Sequence, residues 1–282
     1  MSQGKGTNLH GAALNVPDHS CFADKIKKLH SMNAVPIVKT EALSKSFDEG
    51  AKNHTGITNI SIEINEGEFT VIMGNSGSGK STLLYLLSGL DQPSKGQIFL
   101  NNTPIHKLGE KAMALFRRNH IGFVFQDYNL ISELSLRENI LIVGYLSKQD
   151  RKVVQTRTSL LLKELELDDL ADRMPSQVSG GERQRCAIAR ALVNNPKILM
   201  ADEPTGSLNS SASKKVLSCF KKVHEERQTI LMVTHNPKSA CYGDRVLFIR
   251  DGMVVDSCKF GINDDLEERN ETLIQWLRSL GW

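Results

Sequence analysis

A chain of 282 residues, 40% hydrophobic and 24% charged, has ample length for a buried core and the balance of an ordinary globular protein. With 35 Lys and Arg against 32 Asp and Glu, the net charge of +3 gives no basic surplus for nucleic acid or anionic lipid, and no nucleic-acid partner is expected. The five cysteines (Cys21, Cys186, Cys219, Cys241 and Cys258) are odd in number, scattered and without a C-x-x-C pair, which argues for reduced thiols rather than a disulfide framework or a zinc site.

Residues 1–35 are polar and rich in Gly, Asn, His and Ser, and read as a flexible extension in which Phe22 to Met32 has room for a short amphipathic turn. The segment carries no apolar core of the signal-peptide kind, so no leader is expected. Met32, just before the first organised stretch, is an expected start. From Pro36 the pattern changes. Ile37–Thr40 predicts a strand, Ile57–Ile64 a half-buried alternating strand, and Phe69–Met73 a short buried strand running into glycines. Gly79–Ser88 predicts a helix and Gln97–Leu100 another strand.

Residues 105–175 read as mostly helical, interrupted by Ile121–Phe125, with clear helical spacing over Thr158–Leu165. Strands are then predicted at Ile198–Ala201, Ile230–Val233 and Arg245–Ile249, with a helix over Ser210–Arg227. Strand–helix alternation of this kind predicts a parallel α/β sheet flanked by helices, with an inserted helical subdomain. Asp264–Leu280 predicts an amphipathic helix, with Leu266, Leu273, Trp276, Leu277 and Leu280 on one face docked on the domain. No run approaches the ~18 apolar residues of a membrane helix. The longest candidate, Ile140–Leu146, is far too short, so any membrane would be served from the water side.

Gly74-Asn75-Ser76-Gly77-Ser78-Gly79-Lys80-Ser81 matches G-x-x-x-x-G-K-[ST], the Walker A phosphate loop, in the required strand-before, helix-after context. Glycines let successive backbone N–H groups turn toward phosphate oxygens, and the following helix offers its positive end to the same anion. Lys80 has the reach for the β- and γ-phosphates of ATP, Ser81 a hydroxyl for Mg²⁺, and Thr82 a further phosphate contact. Lys197-Ile198-Leu199-Met200-Ala201-Asp202-Glu203 is an apolar strand ending in two carboxylates, the Walker B pattern. Asp202 suits Mg²⁺ and Glu203 suits polarisation of an attacking water. Ser179-Gly180-Gly181-Glu182 predicts a capped helix start with exposed N–H groups, a second anion site that a simple phosphate-loop enzyme does not need.

Val178-Ser179-Gly180-Gly181-Glu182-Arg183-Gln184-Arg185 resembles the signature motif of ABC transporter ATPases, and the resemblance covers about residues 36–258. It implies a P-loop NTPase with a RecA-like parallel-sheet core, an antiparallel β-subdomain and an inserted α-helical signature subdomain at about 127–190, leaving 259–282 as a docked helix. It implies further that Gln126 is the Q-loop glutamine touching Mg²⁺, that Pro204–Asn209 is the D-loop, that His235 is the switch histidine, and that Phe47 stacks on adenine. Glu203, His235, Lys80 and Gln126 would then be catalytic. Two such chains, identical or paralogous, would pair head to tail, with Ser179, Gly180, Gly181 and Glu182 of one closing over the ATP of the other. The dimer would drive separate transmembrane permease subunits from the cytoplasmic face of the cell membrane. Phrases such as Gly89–Ile98, Ile121–Gln126 and Ala201–Gly206 resemble the subgroup of lipoprotein-releasing, macrolide-exporter, antimicrobial-peptide-resistance and FtsE-like cell-division ATPases (the MacB/LolD type). Export or mechanotransmission is the implied work, with lipoprotein, peptide or drug as cargo.

Val178 replaces the usual Leu of the motif, Glu182 the usual Gln, and Asn209 the Asp common at the end of the D-loop, where the missing charge is expected to weaken coupling between two sites. A phosphate-loop kinase has no use for Ser179-Gly180-Gly181, and tandem translation-factor or coiled-coil chromosome-organising ABC proteins have architectures this chain lacks. An FtsE-like regulatory ATPase acting on a membrane or cell-wall partner without transport is the alternative.

Overall fold

The computed structural model describes residues 36–49, 52–261 and 263–282. The expected 1–35 extension, with Cys21, Phe22–Met32 and the start at Met32, lies outside the described residues. The strands are β1 (Pro36–Glu49), β2 (Lys52–Ile60), β3 (Glu63–Asn65), β4 (Phe69–Met73), β5 (Lys95–Leu100), β6 (Thr103–Pro104), β7 (Ile121–Val124), β8 (Ile198–Asp202), β9 (Thr229–Val233), β10 (Arg245–Arg250) and β11 (Met253–Lys259). The helices are α1 (Lys80–Leu87), α2 (Glu110–His120), α3 (Leu136–Leu146), α4 (Arg151–Glu164), α5 (Gly180–Leu192), α6 (Ser210–Glu225), α7 (Pro237–Ala240) and α8 (Leu266–Ser279).

The larger sheet has the order β11-β10-β4-β9-β8-β7. Its β10, β4, β9, β8 and β7 run parallel, and β11 is an antiparallel edge. Strands β4, β8 and β9 are buried at every residue because helices or the second sheet cover both faces, which is why they read as unbroken apolar runs. Alternation along them divides the core. Phe69, Val71 and Met73 pack with Ala201, Met232 and Phe248 against α5, α6 and α8. Ile72, Met200, Leu231 and Val233 face Leu83, Leu84 and Leu87 of α1 and the apolar side of the second sheet.

That second sheet is antiparallel, in the order β2-β1-β5-β6 with β3 also on β1. The single strand expected over Ile57–Ile64 is two, β2 and β3. At the break, side-chain hydroxyls supplement a main-chain bond from Thr40 N–H to the Ile62 carbonyl at 2.9 Å. Thr40 Oγ1 donates to the Ile60 carbonyl at 3.0 Å and accepts from Ile62 N–H at 3.0 Å, while Ser61 Oγ accepts from Ala42 N–H at 2.9 Å. Ala42 (φ 48°) and Asn59 (φ 52°) take left-handed conformations that open the register there.

Helix starts follow their capping residues. Ser135 with Glu138, Ser179 with Glu182, and Asp265 with Glu268 each form a reciprocal capping box at α3, α5 and α8. The α8 face departs from expectation at one residue. Leu273 and Leu277 are buried and Trp276 and Leu280 lie against the core, but Leu266 is exposed and stands in the wall of a cavity rather than in the packed face. Among the described residues, no helix is long and apolar enough to cross a membrane.

Candidate active site

Parallel pairing puts the carboxyl ends of β4, β8 and β9 at one level, with Ile72 and Asp202 both opposite Val233. The segments that leave those ends, Gly74–Gly79, Glu203 and Thr234-His235, therefore meet at one edge of the sheet, where open α/β folds form their ligand sites. A cavity of about 700 Å³ opens there, lined by Phe47, Gly74, Asn75, Ser76, Gly77, Gly79, Lys80, Ser81, Thr82, Glu203, His235 and two residues not foreseen, Gly56 and Trp282.

The glycine loop is shaped by contacts a side chain would destroy. Gly79 caps α1 at φ 100°, and a Cβ there would strike the Gly56 carbonyl oxygen. Lys80 is 8% exposed, and its ammonium donates to the carbonyls of Gly74 at 2.9 Å and Asn75 at 2.8 Å. Burial lowers its pKa, against which the carboxylates of Glu203 and Asp202 pull upward. Ser78 is also buried, and its hydroxyl has no hydrogen-bond partner among the described residues.

Ser81 Oγ donates to Asp202 Oδ1 at 3.0 Å, joining the first turn of α1 to the end of β8. Tyr85, one turn beyond Ser81, adds its phenol to the surroundings of Asp202, and burial followed by that carboxylate pushes its pKa up to about 12. Glu203 sits at φ 45°, a conformation uncommon for a residue with a side chain. Its N–H donates to the Val233 carbonyl and its own carbonyl accepts from Gly206 N–H, both at 3.0 Å. This tight turn aims the carboxylate at His235, whose Nδ1 is 2.8 Å from Glu203 Oε1. The Glu203 side chain is 15% exposed and that of His235 66%.

Seven expected residues are not in the cavity wall: Ser78 and Asp202, which are buried, and Gln126 and Ser179–Glu182, which stand apart from it. Gln126 follows β7, and its side-chain amide lies over Gly206, so that a Cβ on that glycine would be 3.1 Å from Gln126 Nε2. Ser179, Gly180, Gly181 and Glu182 form the start of α5 and do not line the cavity. Ser179 Oγ accepts from Glu182 N–H at 3.4 Å, while Glu182 Oε2 accepts from Ser179 N–H at 2.7 Å and from its hydroxyl at 2.8 Å. Those bonds hold the Glu182 carboxyl below its usual range. The α5 helix is tied to the segment around Gln126. Gln184 Nε2 donates to the Phe125 carbonyl at 3.2 Å, and Arg190 NH2 to that of Tyr128 at 2.7 Å.

Tyr128, unforeseen, links three elements. Its hydroxyl is 3.2 Å from Ser207 Oγ, its ring lies 5.2 Å from the Arg183 guanidinium, and its hydroxyl would be 2.8 Å from a Cβ on Gly180. No pattern rule marks Tyr85, Tyr128 or Trp282; helical spacing from Ser81 and nearness to Gln126 are the only sequence cues for the first two. Asn209 proves to be the cap of α6, its Oδ1 accepting from Ala212 N–H at 2.9 Å. The four described cysteines are free, and burial pushes Cys186 to about 12 and Cys219 and Cys241 to about 11, so they are poor nucleophiles.

A glycine loop with a buried ammonium, a hydroxyl–carboxylate pair and a carboxylate–imidazole pair around one cavity is equipped to hold a polyphosphate and direct water to it. Residues 57–206 match the family described as ABC transporter. The ABC transporter ATP-binding protein YxdL of Bacillus subtilis is 40% identical over 80% of this chain and 88% of its own length. The bacitracin export ATP-binding protein BceA of Halalkalibacterium halodurans is 40% identical over 77% of this chain and 87% of its own. The dimeric, post-hydrolysis structure of the ATP-binding cassette MJ0796 of Methanocaldococcus jannaschii, bound to ADP and Pi, superposes with a TM-score of 0.73 at 37% identity over 80% of this chain and all of that one. Sequence, fold and site geometry agree, and the chain belongs to the ABC transporter family as an ATP-binding, ABC-type ATPase.

Proposed function

We propose that this ATPase works as a dimer and powers a separate transmembrane permease from the cytoplasmic face of the membrane, in export or mechanotransmission with a lipoprotein, peptide or drug as cargo; the name of the relative BceA, a bacitracin export ATP-binding protein, supports export. The observation that carries the catalytic part is the convergence of the Ser81–Asp202 and Glu203–His235 pairs on the phosphate-loop cavity.

The loop of Gly74 to Gly79 and the N-terminal end of α1 bind the phosphates, and Lys80 exchanges its two carbonyl partners for β- and γ-oxygens. Ser81 and Asp202 are hard oxygen donors in contact, a pair that fits Mg²⁺, which supplies neutralisation of phosphate charge when bound. Gln126 lies over Gly206 and would have to turn toward the cavity to join them. Glu203 polarises the water and accepts its proton as the new bond to the γ-phosphorus forms and the bond to the ADP oxygen breaks. His235 orients the Glu203 carboxylate through Nδ1 and faces the γ-phosphate with the rest of its exposed ring. Phe47 at the cavity wall stacks on the base.

Because Ser179–Glu182 lie outside the cavity of their own chain, they are free to close a second copy's site. The surface proposed for the permease is a cleft of about 360 Å³ beside β7, with Leu90, Ile121, Phe123 and Val143 as its apolar wall.

The test is Glu203→Gln in the full chain. Phosphate release is expected to fall by about 10²–10⁴-fold, the range for removal of a general base, while ATP drives a dimer visible by sedimentation. Retention of wild-type turnover would remove Glu203 from the mechanism, and absence of any ATP-dependent dimer, with or without the permease, would sink the paired site.

A further inference from the structure

The cavity wall includes Trp282, which no phosphate-loop chemistry requires. Its placement is determined by the end of α8. Gly281 adopts φ 77°, its N–H donates to the Arg278 carbonyl at 3.0 Å, and Trp282 N–H donates to the Leu277 carbonyl at 3.1 Å. This pair of bonds is a Schellman closure, which turns the chain sharply back over the helix. A second tie comes from the sheet, where Arg250 at the end of β10 donates from NH1 to the Leu280 carbonyl at 2.8 Å. Arg250 is followed by the turn whose Gly252 N–H donates to the Ser78 carbonyl at 3.1 Å, so the phosphate loop and the α8 terminus are braced on the same strand end. Trp282 thereby lines the cavity with 37% of the residue still exposed.

Trp282 keeps part of its surface open and lines the cavity together with Phe47, the other aromatic carbocycle there, while the remaining wall is made of glycines and polar or charged groups. An indole offers a polyphosphate one N–H donor and a π-face with no affinity for anions. To a base or ribose it offers a broad stacking surface. We propose that Trp282 forms a second aromatic wall of the nucleotide cavity and contacts the nucleoside part of bound ATP, a role that rests on the nucleotide-site reading above.

The chain holds two tryptophans, Trp276 and Trp282. Trp276 donates its indole N–H to Asp256 Oδ2 at 2.9 Å, packs edge-on to Phe248 and does not line the cavity, so Trp276→Phe leaves Trp282 as the reporter. In full-length W276F protein, the emission is expected to change saturably with MgATP and to stay constant with inorganic tripolyphosphate. By calorimetry, Trp282→Ala is expected to weaken ATP binding about tenfold, the range for loss of one base–aromatic stack. Trp282→Phe is expected to restore most of that affinity, and tripolyphosphate affinity is expected to be equal in all three. Unchanged ATP affinity in W282A, or equal losses for ATP and tripolyphosphate, overturns the nucleoside contact while leaving the phosphate site standing. Failure of the wild type to bind either ligand, with Lys80→Ala indistinguishable from it, overturns the nucleotide site itself.

Discussion

Glu182 stands where relatives of this kind usually carry Gln, and its geometry explains why the change is accepted. Either side chain completes the capping box with Ser179, and a carboxylate near a helix N-terminus gains from the helix dipole. The cost falls elsewhere, because the carboxylate holds the Ser179 hydroxyl at 2.8 Å and brings a negative charge to a surface proposed to meet a triphosphate. Glu182→Gln keeps the box but loses the charge, and is expected to lower the melting temperature by no more than about 2 °C while lowering, several-fold, the ATP concentration needed for dimerisation, measured by sedimentation. Glu182→Ala removes the box and is expected to cost about 1 kcal/mol, or roughly 2–4 °C in calorimetry. Asn209 is likewise a cap first, whatever the missing charge does to coupling between sites.

At the scale of elements, α6 is anchored to the sheet by a titratable pair. His224 Nε2 lies 3.1 Å from Asp244 Oδ2, and the same carboxylate oxygen accepts from Phe69 N–H at 2.9 Å, tying the end of α6 to the start of β4 and the approach to β10. Burial alone would lower the His224 pKa, but the Asp244 carboxylate outweighs it and the net shift is upward. A folded pKa above the unfolded value near 6.5 means that the stabilisation is fully present below pH 6.5 and is lost as pH rises through the higher folded value. The melting temperature is expected to fall by about 2 °C between pH 6 and pH 8.5, the scale of one partly exposed pair. His224→Gln should flatten that slope. A slope unchanged in the variant would assign the pH dependence to another group.

At the scale of the whole molecule, the phosphate loop and the α5 start are separate surfaces of one chain. Lys80→Ala disables the first. Gly180→Asp disables the second, adding a charge and a Cβ that would come within 2.8 Å of the Tyr128 hydroxyl. Each variant alone is expected to be inactive. An equal mixture is expected to recover roughly a quarter of wild-type turnover, since half the dimers are mixed and each of those carries one intact site of two. No recovery, with mixed dimers shown to form, would mean that the phosphate loop and the α5 start act together within one chain rather than across two.

Short-range patterns made much of this legible from the residues alone. The phosphate loop, the strand ending in Asp202 and Glu203, and the capped start at Ser179 are local because they depend on backbone freedom, burial runs and caps spanning a few residues. What a linear pattern does not carry is which segments meet. Parallel register puts Glu203 beside His235 and Ser81 beside Asp202, across 32 and 121 residues of chain. Thr40 and Ser61 divide an apparently single strand by adding hydroxyl contacts where the regular pairing shifts. The outward Leu266, the junction at Tyr128 and the wall at Trp282 follow from where α8 and α5 come to rest on the core. The family and the ATPase class could be read from the local patterns alone. Which residues share a cavity and which stand outside it emerged from the folded chain, because long-range packing and sheet register, not local propensity, set those distances.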